Sequence, residues 1–365
     1  MFASSSLPRW VSFGLLPLVN LLCAFAAAGI LVWWIGESPW QVVRVLLWGA
    51  FGSGEAVGYT LFYATSFVFT ALAVAVAAHC GLFNIGGEGQ AYIGGLGVAL
   101  VCLHMDFLPF PWILPVVIAG AAVFGGIWAL IPGYLQAYRG SHVVITTIMF
   151  NFIATSLMIY LLVNVMSVPG RMQTETRAFA PHVRLPFLHE LFAGVGIPVA
   201  ASPLNVAFLL ALLGCLGLWL HVWHSRSGYR LRAVGANPDA ARYGGIRPRR
   251  QVLIAMALSG AFAGCMSLNE LLGVQHRLIL EFSAGFGFAG IAVALIGRNH
   301  PVGILLAATL FGALYQGGAE LAFEVPAITR DMLVVIQGLV ILFTGALEYL
   351  FAGPMRWLFA RRAGG

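Results

Sequence analysis

Asn84, Glu88 and Gln90 stand within HCGLFNIGGEGQ, residues 79–90, inside sequence that is otherwise apolar. A carboxylate and two amides among glycines have two uses: orienting a polar solute, or holding irregular backbone through hydrogen bonds. Such groups are costly in a membrane interior unless they have a partner. Non-helical backbone at that depth is tolerated only when protein buries it or it lines a wet cavity. A surface turn and a broken segment at a translocation pathway are both open readings. A second polar group is Thr146, Thr147 and Asn151, within the apolar run 143–165. Thr146 and Asn151 are not one helical turn apart, so helix–helix hydrogen bonding explains them as well as a polar stripe does. Glu270 lies near the end of another apolar run, 252–272. In 281–301, Gly285, Gly287 and Gly290 match GxGxxG in spacing. No βαβ unit surrounds them and no suitably placed acid follows, so a dinucleotide site is excluded. Close backbone packing or a re-entrant break is the expectation there.

Catalytic constellations are missing. Every basic residue is arginine, and a P-loop needs a lysine to reach nucleotide phosphates. ATP hydrolysis, if it serves this chain, must come from a separate subunit. His189-Glu190 begins like HExxH, but Ala193 takes the second histidine position. His221 and His224 are three apart with no third ligand in view. There is no GxSxG elbow.

The elements that position these groups must be membrane helices. The 365 residues are 60% hydrophobic and 9% charged, far from the roughly 25% charge of a soluble domain. Apolar runs of about 20 residues recur, the length that crosses a bilayer as a helix. The fold class is all-α and polytopic, with about ten spans and breaks near 79–90 and 281–301. The expected organisation is a tail at 1–14, a membrane domain at 15–352 and a tail at 353–365. Residues 36–58 read as a linker. The run 15–35 is too long for a signal-peptide core and is taken as an uncleaved first span. Residues 167–203, rich in proline, form the longest polar connection, with room for a lid or short surface helices. The five cysteines lie in apolar runs and read as packing residues, not a disulfide framework. Ten spans with both termini cytoplasmic put thirteen of the nineteen arginines inside and six outside, the positive-inside direction. That charge follows topology and does not indicate a nucleic acid polymer as partner.

One polar interlude, 225–250, would then be cytoplasmic. Within it, Asn237 suits a helix N-cap, Pro238 the first helical position and Asp239 the first turn. Gly244-Gly245 would stop the helix after about two turns. Such a helix is marginal alone in water, so it serves either as a charged loop that fixes topology or as a knob that docks on another protein.

GYRLRAVGANPDAARYGGI, residues 228–246, resembles the coupling-helix loop of ABC importer permeases of the ribose, branched-chain amino acid and nucleoside type. GLFNIGGEGQ, TTIMFN and GFGFAGIAVALIGRNHPVG look like the same family, and the first and last look most like its nucleoside and simple-sugar branch. The resemblance runs from about Thr60 to Leu350. It implies that Arg232, Gly235, Asn237, Pro238, Asp239, Ala240, Ala241 and Arg242 couple the chain to an ATPase. It also implies a pathway set of Asn84, Glu88, Gln90, Thr146, Asn151, Phe286 and Phe288. The partners implied are cytoplasmic ABC ATPase subunits, a second and different permease subunit, and a periplasmic or lipoprotein substrate-binding protein. ATP and Mg would sit on the ATPase, and this chain would hold no cofactor. The function implied is ATP-driven uptake of nucleosides or related nucleobase compounds by alternating access in the inner membrane. Simple sugars or riboflavin-like compounds are alternative substrates. A proton-coupled secondary transporter using Glu88 and Glu270 is the rival from another class, though it has no need of a capped cytoplasmic helix.

Overall fold

A computed structural model of the chain describes residues 15–168, 170 and 173–343. The expected tails at 1–14 and 353–365 lie outside the described residues. The last expected span, 332–351, is followed only to residue 343. Described regular structure is helical, and the extended pairings are two isolated bridges, Glu175 with Ile279 and Phe187 with Asn205.

The chain divides into two compact units, 1–53 with 313–365, and 54–312. In the first, α1 (Leu16–Trp34) and α2 (Pro39–Phe51) form a pair bent by 120°. Residues 36–58, expected as a linker, are therefore mostly helix. Ser38 caps α2 by accepting from the Gln41 N–H, and Pro39 fills the first position, where no donor is needed. Ala28, Val32, Val42 and Val45 share an apolar core with Leu321, Val325, Leu333 and Ile336.

The second unit is organised on α3 (Gly54–His79), whose apolar stretch is 83% buried by the rest of the protein. By contrast α6 (Val143–Asn164) and α8 (Ala207–His224) are only 28% buried over theirs, so this chain leaves most of their surface uncovered. Against α3 pack α8 and α11 (Pro248–Ser267), and α4 (Gly87–His104) and α5 (Ile113–Tyr134) pack on α11 and on each other. A five-residue π-helix at Leu135–Arg139 extends α5, and an eight-residue one at Leu268–Gln275 extends α11. Helices α4, α5 and α11 approach to backbone contact. A Cβ on Gly94 would strike Gly264, and one on Gly260 would strike the Gly125 carbonyl. Small residues permit that approach in a membrane, where apolar burial between helices gives little driving force.

Six helices are long and apolar enough to cross a membrane, seven if the α1–α2 pair counts as one span. Two expected spans fall short for physical reasons. The first turn of α4 carries Glu88 and Gln90, which lowers its apolarity. The other, α12 (Phe286–Ile296), has 11 residues, and at about 1.5 Å per residue it spans roughly half the hydrocarbon layer. α13 (Pro301–Glu324) and α14 (Arg330–Ile341) follow.

The 167–203 connection holds a 3-10 turn at Pro181–Val183 and a short helix, α7 (Leu188–Ala193). It is strapped to the segment after α11: Arg277 pairs with Glu175 at 2.6 Å, and the Phe179 N–H donates to the His276 carbonyl at 2.7 Å.

Candidate functional site

Two breaks in the helical ladder meet at the first turn of α4, each held by its own buried polar groups. The first is Cys80–Gly86, between α3 and α4. The second runs from His276 to Gly285, between the π-helix and α12. Glu88, in the first turn of α4, joins them. Its Oε2 accepts from the Gly287 N–H at 2.8 Å, and its Oε1 accepts from the Gly285 N–H at 3.1 Å and from the Ser283 hydroxyl. All its partners are donors, and two helix N-termini meet there. That environment matches an acceptor-only carboxylate. Gly285 is left-handed at φ +80°, and a Cβ on Gly287 would collide with the backbone of Glu88. Both positions therefore need glycine. This is the close backbone packing expected of the GxGxxG spacing.

Asn84 and Gln90 close the first break on itself. The Asn84 amide donates to Gln90 Oε1 at 3.0 Å and to the Ser259 hydroxyl at 2.7 Å. Asn84 Oδ1 accepts from the Gly86 N–H at 2.8 Å and from the Gln90 amide at 3.2 Å. Each side chain is only 1% exposed. Asn151 on α6 completes the frame by pairing like a strand. It donates to the Ile85 carbonyl at 2.9 Å and accepts from the Gly89 N–H at 2.9 Å. The structure thus gathers Asn84, Glu88, Gln90 and Asn151 into one frame. Thr146 is not part of it, since its hydroxyl bonds back to carbonyls of its own first turn. Its neighbour Thr147 takes that place, fully buried and accepting from the Ile85 N–H at 3.3 Å. Phe286 is buried edge-on against Phe67, ring centres 5.0 Å apart, while Phe288 on the same helix is 48% exposed.

Sequence reasoning missed Ser259 and Ser283, which lie 175 and 195 residues from their partners and carry no local signal. Of a second buried cluster beside α3 it singled out only Glu270. Ser66 donates to Glu270 at 2.8 Å, Asn269 donates to Ser66 and to the Phe62 carbonyl, and Asn205 donates to Asn269. The adjacent polar pair Asn269-Glu270 in an apolar run was the available signal.

The 225–250 loop holds two helices, not one. α9 (Arg226–Ala236) buries Gly228, Leu231 and Val234 along one face, and its N-cap Ser225 accepts from the Gly228 N–H at 3.0 Å. α10 (Pro238–Tyr243) is the short helix expected from the sequence. Asn237 Oδ1 accepts from the N–H groups of Asp239 and Ala240, each at 3.0 Å, and Gly245 at φ +77° ends it. Arg232, Asn237, Pro238, Asp239, Ala240 and Arg242 are exposed. Ala241 faces inward at 6% exposure, and Tyr243, absent from the sequence-derived set, stands out at 97%. Gly235 is half-buried for a specific reason: a Cβ there would strike the His79 carbonyl and Gly81 N. Backbone of α9 therefore rests directly on the start of the first break. His79 reinforces the junction, its ring N–H donating to the Asn299 carbonyl at 3.1 Å and its edge against Trp223 at 5.0 Å.

Comparison with known proteins identifies the family. Residues 56–345 match the family described as branched-chain amino acid transport system / permease component. The chain is 35% identical over 333 residues to a guanosine ABC transporter permease protein of Bacillus subtilis, covering 91% of this chain and 93% of that one. It is 32% identical to a glucose ABC transporter permease protein of Haloferax volcanii, over 94% of this chain and 90% of that one. It is 31% identical to a nucleoside ABC transporter permease protein of Lactococcus lactis, over 90% of each. On the family match and this coverage, the chain belongs to the permease components of the branched-chain amino acid transport system family.

Proposed function

We propose that this permease takes up nucleosides or related nucleobase compounds as the membrane-spanning half of an ATP-driven importer working by alternating access. As a multi-pass inner-membrane subunit it is not itself an enzyme, and its lysine-free sequence agrees with hydrolysis on a separate subunit. The observation that carries the mechanism is the seat of Gly235 on His79 and Gly81. A push on the exposed face of α10 passes through α9 to the break that Asn84, Glu88, Gln90 and Asn151 frame. These four residues, with Phe286, shape the wall of the pathway, and Thr146 and Phe288 contribute from its margin. ATP and Mg belong to the ATPase. A second, paralogous permease and an external binding protein complete the transporter. Counting the bent α1–α2 pair, α4, α12 and the expected span 332–351 as one pass each gives ten, which puts both termini in the cytoplasm, where the arginines concentrate.

The likeness to guanosine and nucleoside permeases supports the substrate class, and the glucose permease of comparable identity favours a hexose as the second reading. The test is co-reconstitution with the ATPase, second permease and binding protein in proteoliposomes, following labelled guanosine and glucose. ATP-dependent guanosine uptake that persists after collapse of the proton gradient is expected. Glucose uptake without guanosine uptake would replace the substrate class. Proton-driven uptake by this chain alone would overturn the mechanism.

A further inference from the structure

The ends of α5 and α11 beside α10 border an open groove of about 700 Å³. Arg242, Arg247, Arg249 and Arg250 line it, with Tyr138 and Leu253. The Arg249 guanidinium lies over the Tyr138 ring, 5.1 Å from its centre, and Tyr138 stacks on Tyr134 at 4.9 Å. No acidic side chain lines the groove, and the nearest recorded counter-charge is Asp239, 3.7 Å from Arg242 on the exposed face of α10. The first turn of α11 adds the N–H groups of Arg249 and Arg250, since Pro248 has none and the Gln251 N–H bonds the Arg247 carbonyl; Arg247, the N-cap, makes no side-chain cap bond, and no acid stands in that turn. Four guanidiniums and free N–H groups around one concavity form a receptor for phosphate oxygens.

We propose that this groove binds the headgroup of an anionic phospholipid. The chemistry is that of a phosphate anion, and its position selects the lipid as the source. The groove lies where two membrane helices end, its aromatic pair is of the type that sits at headgroup level, and Leu253 offers an apolar wall toward the helices. Topology alone asks only for positive charge on this side. It does not ask for four arginines around one groove, and the arginines of the 226–232 stretch line a different one.

The test uses the assembled transporter, purified and exposed to vesicles of phosphatidylcholine alone or doped with phosphatidylglycerol, with retained lipid counted by native mass spectrometry. Wild type is expected to retain phosphatidylglycerol over phosphatidylcholine. Arg247→Gln with Arg250→Gln should weaken that retention about 30-fold, from roughly fivefold per arginine near a charged surface. Arg226→Gln with Arg230→Gln removes the same charge from the other groove and should leave retention intact. Arg247→Lys with Arg250→Lys preserves charge and should keep most of it, which separates lost binding from misfolding. Equal losses in the two glutamine pairs, or no headgroup preference, would overturn the site. Displacement by inorganic phosphate at concentrations matching the lipid would overturn the lipid as its source. Retention that appears only after the ATPase is stripped away would assign the arginines to the ATPase instead.

Discussion

Glu88 and Gly287 are 199 residues apart in sequence, yet the Gly287 N–H donates to the Glu88 carboxylate at 2.8 Å. With Gly285 and Ser283 on its other oxygen, the carboxylate bolts one broken segment to the other. The predicted behaviour of Glu88 is therefore that of a clamp. Glu88→Gln keeps the size but turns an NH2 toward a donor. Charge-assisted bonds to buried N–H groups are worth about 1.5–3 kcal/mol each, so stability should fall on the order of 3 kcal/mol. Thermal unfolding of the purified complex measures this. Uptake should fall with it while the order of preference among nucleosides stays the same. Changed selectivity at unchanged stability would instead place Glu88 in contact with substrate.

Glycine position separates packing from flexibility. A Cβ at Gly260 meets the Gly125 carbonyl, whereas one at Gly217 meets nothing within 4 Å. Gly260→Ala should push α5 off α11 and reduce the yield of folded protein severalfold. Gly217→Ala should be neutral or stabilising by up to about 1 kcal/mol, the helix-propensity gain of alanine over glycine. Fluorescence-detected size exclusion of the two variants reads the difference, and equal yields would contradict the close approach.

The sequence makes legible what depends on local chemistry. Asn237 before Pro238, and glycines after Tyr243, announce α10 because capping is a matter of adjacent residues. The two breaks are legible because polar groups and glycines interrupt apolar runs. Partners across the fold are not: nothing near Asn84 points to Ser259, and Thr146 and Thr147 look alike until the angle of α6 decides which faces inward. Residues 36–58 looked like a linker because their glycines and Pro39 hide a helix that begins at the proline. Nor does the sequence tell that Ala241, in the coupling set the resemblance implies, turns its small side chain inward under α10.

Asn151 offers a sharper test of the frame than Asn84 does. Its amide both donates to the Ile85 carbonyl and accepts from the Gly89 N–H. Asn151→Leu strands both buried backbone groups, at about 1–3 kcal/mol each. Asn151→Asp keeps the acceptor and loses the donor, so its loss of stability should be smaller. Denaturation midpoints of the pair in the same detergent establish the order, and the reverse order would refute the pairing.

Tyr243 is the predicted contact point of α10. At 97% exposure it supports nothing within this chain, so Tyr243→Ala should leave folding unchanged within about 0.5 kcal/mol. It should nonetheless weaken association with the ATPase and lower substrate-stimulated hydrolysis. Ala241→Glu, by contrast, buries a charge and should destabilise α10 itself. Co-purification of the ATPase with each variant, alongside thermal stability, distinguishes the two effects. Full retention of the ATPase by Tyr243→Ala would move the contact elsewhere on α9 or α10.

Gly235 is where the outer face of this loop reaches the interior. The His79 carbonyl, Cys80 and Gly81 fill the space a Cβ would need, and Gly81 itself is left-handed at φ +75°. Gly235→Ala must lift α9 away from the break by a few tenths of an ångström or more, without touching the exposed face of α10. The ATPase should therefore still bind while transport per ATP hydrolysed falls, roughly tenfold if the lost contact is worth about 1.4 kcal/mol of coupling. Measuring uptake and hydrolysis in the same proteoliposomes gives the ratio directly. A proportional loss of both would mean that the substitution merely unfolds the loop. An unchanged ratio would mean that the push on α10 enters the membrane domain by some other contact than Gly235 on His79.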